Sequence, residues 1–485
     1  MTPFQPTPIS ALPEIYETLQ KSFRSGLARP LAWRKHQLHQ LARLAQENKD
    51  AFVAALKADL NKAPLETLLG EVGPIVERSI KSAEQLDEWA KPEPVHVEAA
   101  WQQSWGSTLY KTPVGVVLVI APWNYPMVLS LQPLIGAIAA GCCAVVKPSE
   151  ISSHYSQLLA ELFPKYLDPS AYRVVNGGVE ETTEVLKLKW DHIFYTGNGR
   201  VARIIAAAAA KHLTPVTLEL GGKSPVVVDS NYDLKIAAKR TFYGKCTNAG
   251  QICVCPDYVL IPRSAQDAFI EALKEVYNQF FPNGPLGSGT LGHIVNDYHY
   301  DRLQSMLART KGEIVLGGGT DGKRVFAPTV IKNVQDGDSM LEEEIFGPFL
   351  PIVPVDTIDD AVEFINNRSH PLVLYCFTED PEVKQKLIDR TRSGNLIFND
   401  TFQQLAVNEL PFSGMGESGY GYQIMKYSFD GFTHLRSSIH VPKEQEPQFA
   451  ARYLPYTAEN AELLAGPALN MKIPDTPAVN GNHKL

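Results

Sequence analysis

Two cysteines separated by one residue lie in the stretch 250–257, which reads GQICVCPD. Such a pair can belong to a metal site, to a redox couple, or to an active site in which one thiol works as a nucleophile. The three chemistries make different demands on the rest of the chain: further ligands, a bridgeable spacing, or a base and an oxyanion donor.

The surrounding sequence disfavours the first two chemistries. A structural metal site needs about four ligands, and only His36 and His39 among the histidines lie within four residues of each other. We therefore predict no metal site. A bridge across a single intervening residue would be strained. Cys253, beside the permissive Gly250 that would let a ligand approach the backbone, fits a nucleophile, although two inert buried cysteines fit this stretch alone better.

Two polar side chains in apolar surroundings could serve such a nucleophile. Glu219 lies in a strand-like run, VTLELGG, as either a structural carboxylate or a base with a raised pKa. Asn124 lies in the turn IAPWNYP, after an apolar strand, either as an ordinary turn residue or as an amide donor at the ligand-binding edge of a sheet.

A dinucleotide platform is indicated by two further segments. Lys147 and Glu150, in VVKPSE, follow a predicted strand where a cation and an acid can hold a ribose; an ordinary solvated ion pair is the alternative. The turn YTGNGRVARI is a weak phosphate-site signal, because it lacks the G-x-G-x-x-G spacing. A thiol, an amide, a carboxylate and this platform together match oxidation of a carbonyl through a covalent intermediate.

The elements that must position these residues alternate between strand and helix. The uncharged stretch 112–146 reads as strand 115–120, helix 127–140 and strand 142–146, and its prolines argue against a membrane span. Periodic helices fill residues 10–90, and 91–110 looks extended. The strand–helix alternation then continues to residue 399, which predicts an α/β fold with parallel sheets. The polar, proline-rich stretch 442–485 predicts a tail that is either laid over the surface or disordered, with nothing long enough to anchor in a membrane.

Composition sets limits on location and partners. With 485 residues the chain is expected to form two or three packed units, and its net charge of −8 argues against nucleic-acid binding. Its six cysteines have no disulfide spacing, and the N-terminus has no signal-peptide pattern. We expect a cytoplasmic protein.

The motifs also carry a family resemblance. APWNYP, KPSE, VTLELGGKSP, GQICVCPDY, EEIFGPFLPIV and LPFSGMGESGYG occur in this order over about residues 10–440. The chain resembles the aldehyde dehydrogenase superfamily, and most closely its class 3 branch of fatty and aromatic aldehyde dehydrogenases, as the runs HLTPVTLELGGKSP and VNGGVEETTEVL also indicate.

The resemblance implies a mechanism. Cys253 would attack the aldehyde to give a thiohemiacetal, with the oxyanion held by the Asn124 amide and the Cys253 N–H. Hydride transfer to NAD or NADP would leave a thioester, and Glu219 would activate the water that hydrolyses it. An acylating enzyme that hands the acyl group to coenzyme A is the alternative, and Glu219 argues against it because that reaction needs no hydrolytic base. The presence of Cys253, Asn124 and Glu219 together disfavours a protein that keeps the fold without the activity.

The resemblance also implies how the cofactor is held. Glu344 and Phe346 would position the nicotinamide and its ribose, and Lys147 and Glu150 would face the adenine ribose. The other implied cofactor-binding residues are Trp123, Gly197, Asn198, Val201, Ala202 and Leu220. Two departures from the family pattern stand out: the methyl of Ala202 could crowd the pyrophosphate, and Cys255 replaces a small residue.

The implied architecture is the aldehyde dehydrogenase fold, with a Rossmann-like cofactor domain, an α/β catalytic domain and a bridging β-element that pairs two subunits as a homodimer. The expected bounds are 1–92 with 112–218 for the cofactor domain, 219–420 for the catalytic domain, 93–111 with 421–445 for the bridging element and 446–485 for the tail. The substrate is expected to be a long-chain, aromatic or other apolar aldehyde, from the apolar residues Trp123, Tyr125, Met127 and Leu131, which are equally compatible with core positions.

Overall fold

The computed structural model describes residues 2–475, and helices alternate with strands along most of this range. The α-helices are α1 Leu12–Ser25, α2 Leu31–Glu47, α3 Lys49–Leu60, α4 Pro64–Thr67, α5 Gly73–Trp89, α6 Pro126–Ala140, α7 Ser153–Tyr166, α8 Val179–Val185, α9 Gly199–Ala210, α10 Leu234–Cys246, α11 Gln266–Phe280, α12 Asp297–Arg309, α13 Ser339–Glu342, α14 Ile358–Asn366, α15 Pro381–Arg390, α16 Lys426–Gly431 and α17 Ala458–Leu469. The strands are β1 Glu93–Pro94, β2 Thr108–Pro113, β3 Val116–Ile120, β4 Cys143–Lys147, β5 Tyr172–Val174, β6 His192–Thr196, β7 Val216–Glu219, β8 Pro225–Val228, β9 Tyr258–Pro262, β10 Glu313–Leu316, β11 Thr329–Lys332, β12 Phe349–Val355, β13 Val373–Phe377, β14 Asn395–Phe398, β15 Gly419–Tyr420 and β16 Thr433–Ser438.

The uncharged stretch 112–146 contains the predicted strand–helix–strand unit, formed by β3, α6 and β4. Both strands are buried along their whole length and pair in parallel, which is why they lack the alternation of a half-exposed strand. Within residues 2–475 no helix is both long enough and apolar enough to cross a membrane.

The chain divides into two compact units. The first contains the chain up to Lys91 together with residues 111–434, and the second contains residues 92–110 and the chain from Leu435 onward. All the residues predicted to take part in catalysis or cofactor binding lie in the first unit.

The first unit contains a six-stranded sheet in the order β15–β7–β6–β3–β4–β5. Every neighbouring pair except β15–β7 is parallel. The carboxyl ends of β3, β4, β6 and β7 therefore share one edge, where Ile120 pairs with Lys147 and Thr196 pairs with Glu219. This edge is where ligands bind in open α/β sheets.

A second sheet of the same unit has the order β10–β11–β12–β9–β8–β13–β14 and is parallel except for β10. The chain passes from the first sheet to the second between Glu219 and Pro225, and it returns to the first sheet at β15. This crossing lies close to the predicted boundary between cofactor and catalytic domains, and the domain bounds given above remain a proposal.

The second unit is built around short strands and an aromatic cluster. β1 pairs with β2, and β16 completes a three-stranded sheet. Trp101 and Trp105, in a 3₁₀ segment, lie 5.0 Å apart between ring centroids and both contact the ring of Phe449. The Trp105 indole donates to the Gln445 side chain at 2.6 Å.

Of the two alternatives for the stretch 442–485, disorder is wrong for the helix α17. Thr457 caps it by accepting a hydrogen bond from the Asn460 N–H at 3.1 Å, and the alanine, glutamate and leucine residues that follow are good helix formers. The polar composition of the segment concealed this local preference. Residues 476–485 of the predicted tail lie outside the described residues.

Candidate active site

The turn that carries Cys253 begins with three left-handed residues after α10. Asn248, Ala249 and Gly250 have φ values of 48°, 52° and 75°. A Cβ at Gly250 would lie 2.2 Å from the carbonyl oxygen of Gly347, so this position requires glycine. The close neighbour of Gly250 in the structure is the chain's own backbone at Gly347.

The two thiols of this turn have different surroundings. Cys253 is half-buried and free. Burial raises the pKa of its thiol, and the carboxyl groups of Glu344 and Glu219 raise it further. Cys255 is buried, its Sγ lies 3.6 Å from the Gly244 carbonyl oxygen, and burial raises its pKa to about 11. Both thiols are therefore protonated at neutral pH, and Cys253 needs a base before it can attack.

Asn124 lies at the Cys253 turn, although 127 positions separate it in the chain from Gln251. Its buried side-chain Nδ2 donates to the Gln251 carbonyl at 3.1 Å, which occupies one N–H and leaves the second. The Asn248 amide links the same two residues, since it donates to the carbonyl oxygens of Asn124 at 3.1 Å and Gln251 at 3.2 Å. The Asn124 amide is thus bonded to the turn that carries the predicted nucleophile, and its second N–H remains.

A fully buried ion pair, not foreseen from the sequence, supports the Asn124 turn. Lys62 Nζ lies 2.6 Å from Glu71 Oε1, and neither side chain is exposed to solvent. The same ammonium donates to the Asn124 carbonyl at 2.9 Å. The other oxygen of Glu71 accepts from the backbone N–H groups of Met127 and Val128 in the first turn of α6. Lys62 and Glu71 therefore fix both ends of this turn.

Glu219, the predicted base, ends β7 and is 3% exposed. Among residues 2–475, neither carboxyl oxygen of Glu219 has a hydrogen-bond partner. Burial raises its pKa well above the usual range, and the Gln423 side chain acts in the opposite direction. Its backbone is fixed by pairing with β15 and by the Gly197 N–H, which donates to the Glu219 carbonyl at 3.0 Å.

Glu344 and Phe346 lie in a loop that an ion-pair system holds in place. Lys223 bonds to Asp257 and donates to the Glu343 carbonyl at 2.8 Å, while the other Asp257 oxygen accepts from the Ile345 N–H at 3.0 Å. Arg302 also donates to the Ile345 carbonyl, at 2.6 Å. The loop next to the predicted nicotinamide site is therefore rigidly positioned by residues that the sequence gave no reason to select.

The carboxyl group of Glu344 is suited to a ligand. Burial raises its pKa to about 8, and its Oε1 is shielded from water and has no hydrogen-bond partner in the part of the chain that the structure describes. The Phe346 ring meets the half-buried Trp123 ring edge to face at 5.4 Å. A shielded carboxyl oxygen without a partner is what a ribose hydroxyl would satisfy, so these residues fit the nicotinamide end of a dinucleotide.

The predicted adenine and pyrophosphate residues lie at the same sheet edge. Lys147 is 3% exposed, and its Nζ makes only long contacts, 3.2 Å to Pro148 O and 3.5 Å to Glu150 Oε2. Asn198 caps α9 by accepting from the Val201 N–H at 3.0 Å, next to the turn glycine Gly197. Leu220 and Ala202 are both buried and belong to the hydrophobic core.

Comparison with known proteins decides the family. A model of the "Aldehyde dehydrogenase family" matches residues 12–438. The chain belongs to this family. It is 44% identical over 440 residues to rat "Aldehyde dehydrogenase family 3 member A2" and 43% identical over 450 residues to mouse "Aldehyde dehydrogenase family 3 member B2", covering 90% and 93% of those proteins and 90% and 92% of this chain. The solved structure named "Substrate bound state of Staphylococcus Aureus AldH" superposes with a TM-score of 0.87 at 38% identity, covering 89% of this chain and 94% of that one.

These matches confirm the resemblance to class 3, the α/β aldehyde dehydrogenase fold and the prediction of an NAD(P)-dependent enzyme that oxidises aldehydes. The roles of the individual site residues remain predictions.

The apolar residues near the site of this aldehyde dehydrogenase divide into two groups. Met127 and Leu131 are completely buried in the hydrophobic core, so they cannot line a substrate path. Trp123 and Tyr125 are partly exposed, and the Lys62 ammonium lies 3.7 Å from the Tyr125 ring centroid. Across residues 2–475, no three His, Cys, Asp or Glu side chains are grouped so that they could hold a metal ion.

Proposed function

We propose that this aldehyde dehydrogenase converts an apolar aldehyde to the free carboxylic acid through a thioester on Cys253. The observation that carries the proposal is the bond from the Asn124 amide to the Gln251 carbonyl, which holds an oxyanion donor two residues from the nucleophile. The bound nicotinamide of NAD or NADP supplies the acceptor for the hydride that leaves the substrate.

Glu219 acts twice in this scheme. It takes up the thiol proton of Cys253, directly or through water, so that the thiolate attacks the aldehyde carbon; the Asn124 N–H and the Cys253 backbone N–H then stabilise the oxyanion. After the hydride has left, Glu219 takes a proton from the water that attacks the thioester, and the thiolate departs. One aldehyde, one water and one oxidised cofactor give one acid, one reduced cofactor and one proton.

The raised pKa of Glu219 suits this work. Burial raises the pKa of this carboxyl well above its usual range, so its basic form accumulates at a higher pH than that of an exposed glutamate. A base whose pKa lies near the working pH combines adequate strength with an adequate deprotonated fraction.

The cofactor is held at the edge formed by β3, β4, β6 and β7 in this proposal. Glu344 and Phe346 would hold the nicotinamide ribose and ring beside Trp123, and Lys147 and Glu150 would face the adenine ribose. The residues that would hold the pyrophosphate are those around the α9 N-terminus: Gly197, Asn198, Val201, Ala202 and Leu220. NAD and NADP both remain candidates.

Two variants test the mechanism. Cys253→Ala should abolish production of reduced cofactor; retained turnover would contradict the proposal. Glu219→Gln should give a slower burst of reduced cofactor, because the Cys253 thiol loses its base, and turnover should then stall, because the thioester is hydrolysed slowly. Coenzyme A added to that variant tests the acylating alternative, which predicts that acyl-coenzyme A forms and turnover resumes.

The substrate class rests on the partly exposed rings of Trp123 and Tyr125. We propose long-chain, aromatic or other apolar aldehydes. A panel of short, long-chain, aromatic and polyene aldehydes with both cofactors tests this, and equal kcat/KM for acetaldehyde and decanal would contradict it.

We also propose a cytoplasmic homodimer. The free state of all six cysteines suits a reducing compartment, and the exposed residues of β16 leave a strand edge on which a second copy can pair. Light scattering after gel filtration should give twice the 53.6 kDa chain mass.

A further inference from the structure

Three buried polar side chains form a hydrogen-bonded row, and the last of them, Gln423, acts on the buried Glu219 carboxyl group. Arg78 on α5, Gln132 on α6, Gln423 after β15 and Glu219 itself are each no more than 6% exposed. The backbone of Gln423 is fixed on both sides, because its N–H and carbonyl pair with those of Phe412. Buried polar rows are costly unless they are satisfied, so their arrangement carries information.

The guanidinium of Arg78 determines how both glutamines are oriented. Arginine has donors only, so the Gln132 group that it meets must be the carbonyl oxygen Oε1. Gln132 Nε2 is then directed at Gln423 and donates to its Oε1 at 2.7 Å. The remaining Nε2 of Gln423 is the end left for Glu219, and this order follows from hydrogen-bond chemistry without any choice of amide orientation.

We propose that Gln423 is a positioning residue for Glu219, and that Arg78, acting through Gln132, determines which end of the Gln423 amide faces this carboxyl group. The proposal rests on the proposed function, in which Glu219 is the base. An amide N–H directed at the carboxyl group stabilises the charged form and restricts the side-chain rotamer.

Among the groups around Glu219, Gln423 is the one that favours the charged form of the carboxyl group. The ionisable group that acts on it from the nucleophile turn is the Cys253 thiol. Its partners on the adjoining strands, Thr196 on β6 and Gly419 on β15, carry no charge. The Gln423 interaction is the influence that lowers the pKa of Glu219 against the larger effect of burial.

Arg78 is itself firmly held. Its Nε donates to Asn408 Oδ1 at 2.9 Å, and its Nη2 donates to the Leu405 carbonyl at 2.5 Å. Burial lowers its pKa to about 10, so the guanidinium remains a cationic donor at neutral pH. The row therefore keeps its direction over the pH range in which the enzyme would be assayed.

Two substitutions separate this arrangement from a merely structural role. Gln423→Met removes the donor while keeping the side-chain length. Gln132→Glu leaves Gln423 in place but replaces an amide by a carboxylate, which has acceptor oxygens only. One oxygen accepts from Arg78 and the other faces Gln423, so the Gln423 amide must turn, donate its N–H to position 132 and direct its oxygen at Glu219. Gln266→Met, which removes a buried glutamine bonded to Asn333, is the matched control.

The assay is a single-turnover and steady-state series with decanal and NAD across pH. The thioester hydrolysis rate rises with pH as Glu219 loses its proton. In Gln423→Met and in Gln132→Glu the midpoint of this rise should move up by about one pH unit, so that hydrolysis at lower pH falls about tenfold. The burst of NADH should keep its amplitude, and the control should match the wild type.

The double variant Gln132→Glu/Gln423→Met identifies the route. It should behave as Gln423→Met alone, because no amide remains to be turned; a further upward shift would mean that the new charge acts through space and would overturn the role of Arg78 and Gln132. An unshifted profile in Gln423→Met, with Glu219→Gln stalled, would overturn the role of Gln423 alone. Full turnover by Glu219→Gln would instead overturn the proposed function.

Discussion

The buried pair Lys62–Glu71 gives a prediction whose magnitude can be worked from its contacts. In Lys62→Met the ammonium disappears from between Glu71 Oε1, at 2.6 Å, and the Asn124 carbonyl, at 2.9 Å. The Glu71 carboxylate stays buried with the N–H groups of Met127 and Val128 as its remaining donors. Breaking one partner of a fully buried pair costs about 3–5 kcal/mol.

Activity should fall as well. In Lys62→Met the Asn124 carbonyl keeps only the Asn248 amide, so the turn that aims the oxyanion donor loses one of two anchors. Misplacement of a catalytic group by about 1 Å can cost about 100-fold, and we expect kcat to fall by about 10–100-fold with a smaller change in KM. Urea unfolding followed by tryptophan fluorescence, together with steady-state kinetics, measures both effects.

The double variant Lys62→Met/Glu71→Leu separates stability from positioning. Replacing both charges by apolar groups of similar volume removes the unpaired carboxylate, so most of the lost stability should return. The Asn124 carbonyl still lacks the hydrogen bond from the Lys62 ammonium, so kcat should stay low. The reasoning is refuted if Lys62→Met unfolds within about 1 kcal/mol of the wild type, or if the double variant regains full kcat.

Four further predictions concern single positions. Asn124→Ala should lower kcat/KM by about 10²–10³, because one oxyanion donor is lost; steady-state kinetics with decanal checks this. Gly250→Ala should cost far more thermal stability than Gly284→Ala, since both have positive φ but only the first Cβ would meet a backbone carbonyl, at 2.2 Å. Glu344 has a folded pKa of about 8 against an ordinary value of 4.5, so the folded protein keeps a proton that the unfolded chain loses; stability should fall as pH rises between these values, and Glu344→Gln should flatten that slope in thermal melts. Cys255→Ala should be inactivated by peroxide, and recovered by reductant, like the wild type, because the Cys255 thiol is buried and protonated at neutral pH; slower recovery would assign it a redox role.

The strands could be predicted where the sequence signal is local. The run 115–120 was predicted as a strand and forms Val116–Ile120, because a strand buried on both faces must be apolar throughout. Tyr258–Pro262 carries the same kind of run but was not predicted, since five apolar residues alone do not distinguish a strand from a buried helix segment. The helix α17 was missed because its signal is a cap and helix propensity, not an apolar stripe.

The residues of the site also divide into those that a local sequence motif reveals and those that it does not. Cys253, Asn124 and Glu219 stand in short distinctive motifs, so the sequence alone could single them out. Arg78 and Gln132 are 54 positions apart, and Gln132 and Gln423 are 291 apart. Helical periodicity tells which face of a helix is buried, but it does not tell which distant side chain that face will meet. Residues that position catalytic groups therefore become visible only in the structure.

The left-handed turn before Cys253 also bears on how the protein is made. Gly250 fits against the Gly347 carbonyl, and the Gln251 side chain bonds to the backbone of His293 and Val295. Synthesis proceeds from the N-terminus, so Cys253 is made before His293, Val295 and Gly347. The newborn chain therefore passes through a period in which the turn that carries its nucleophile has not yet met the residues that fix it.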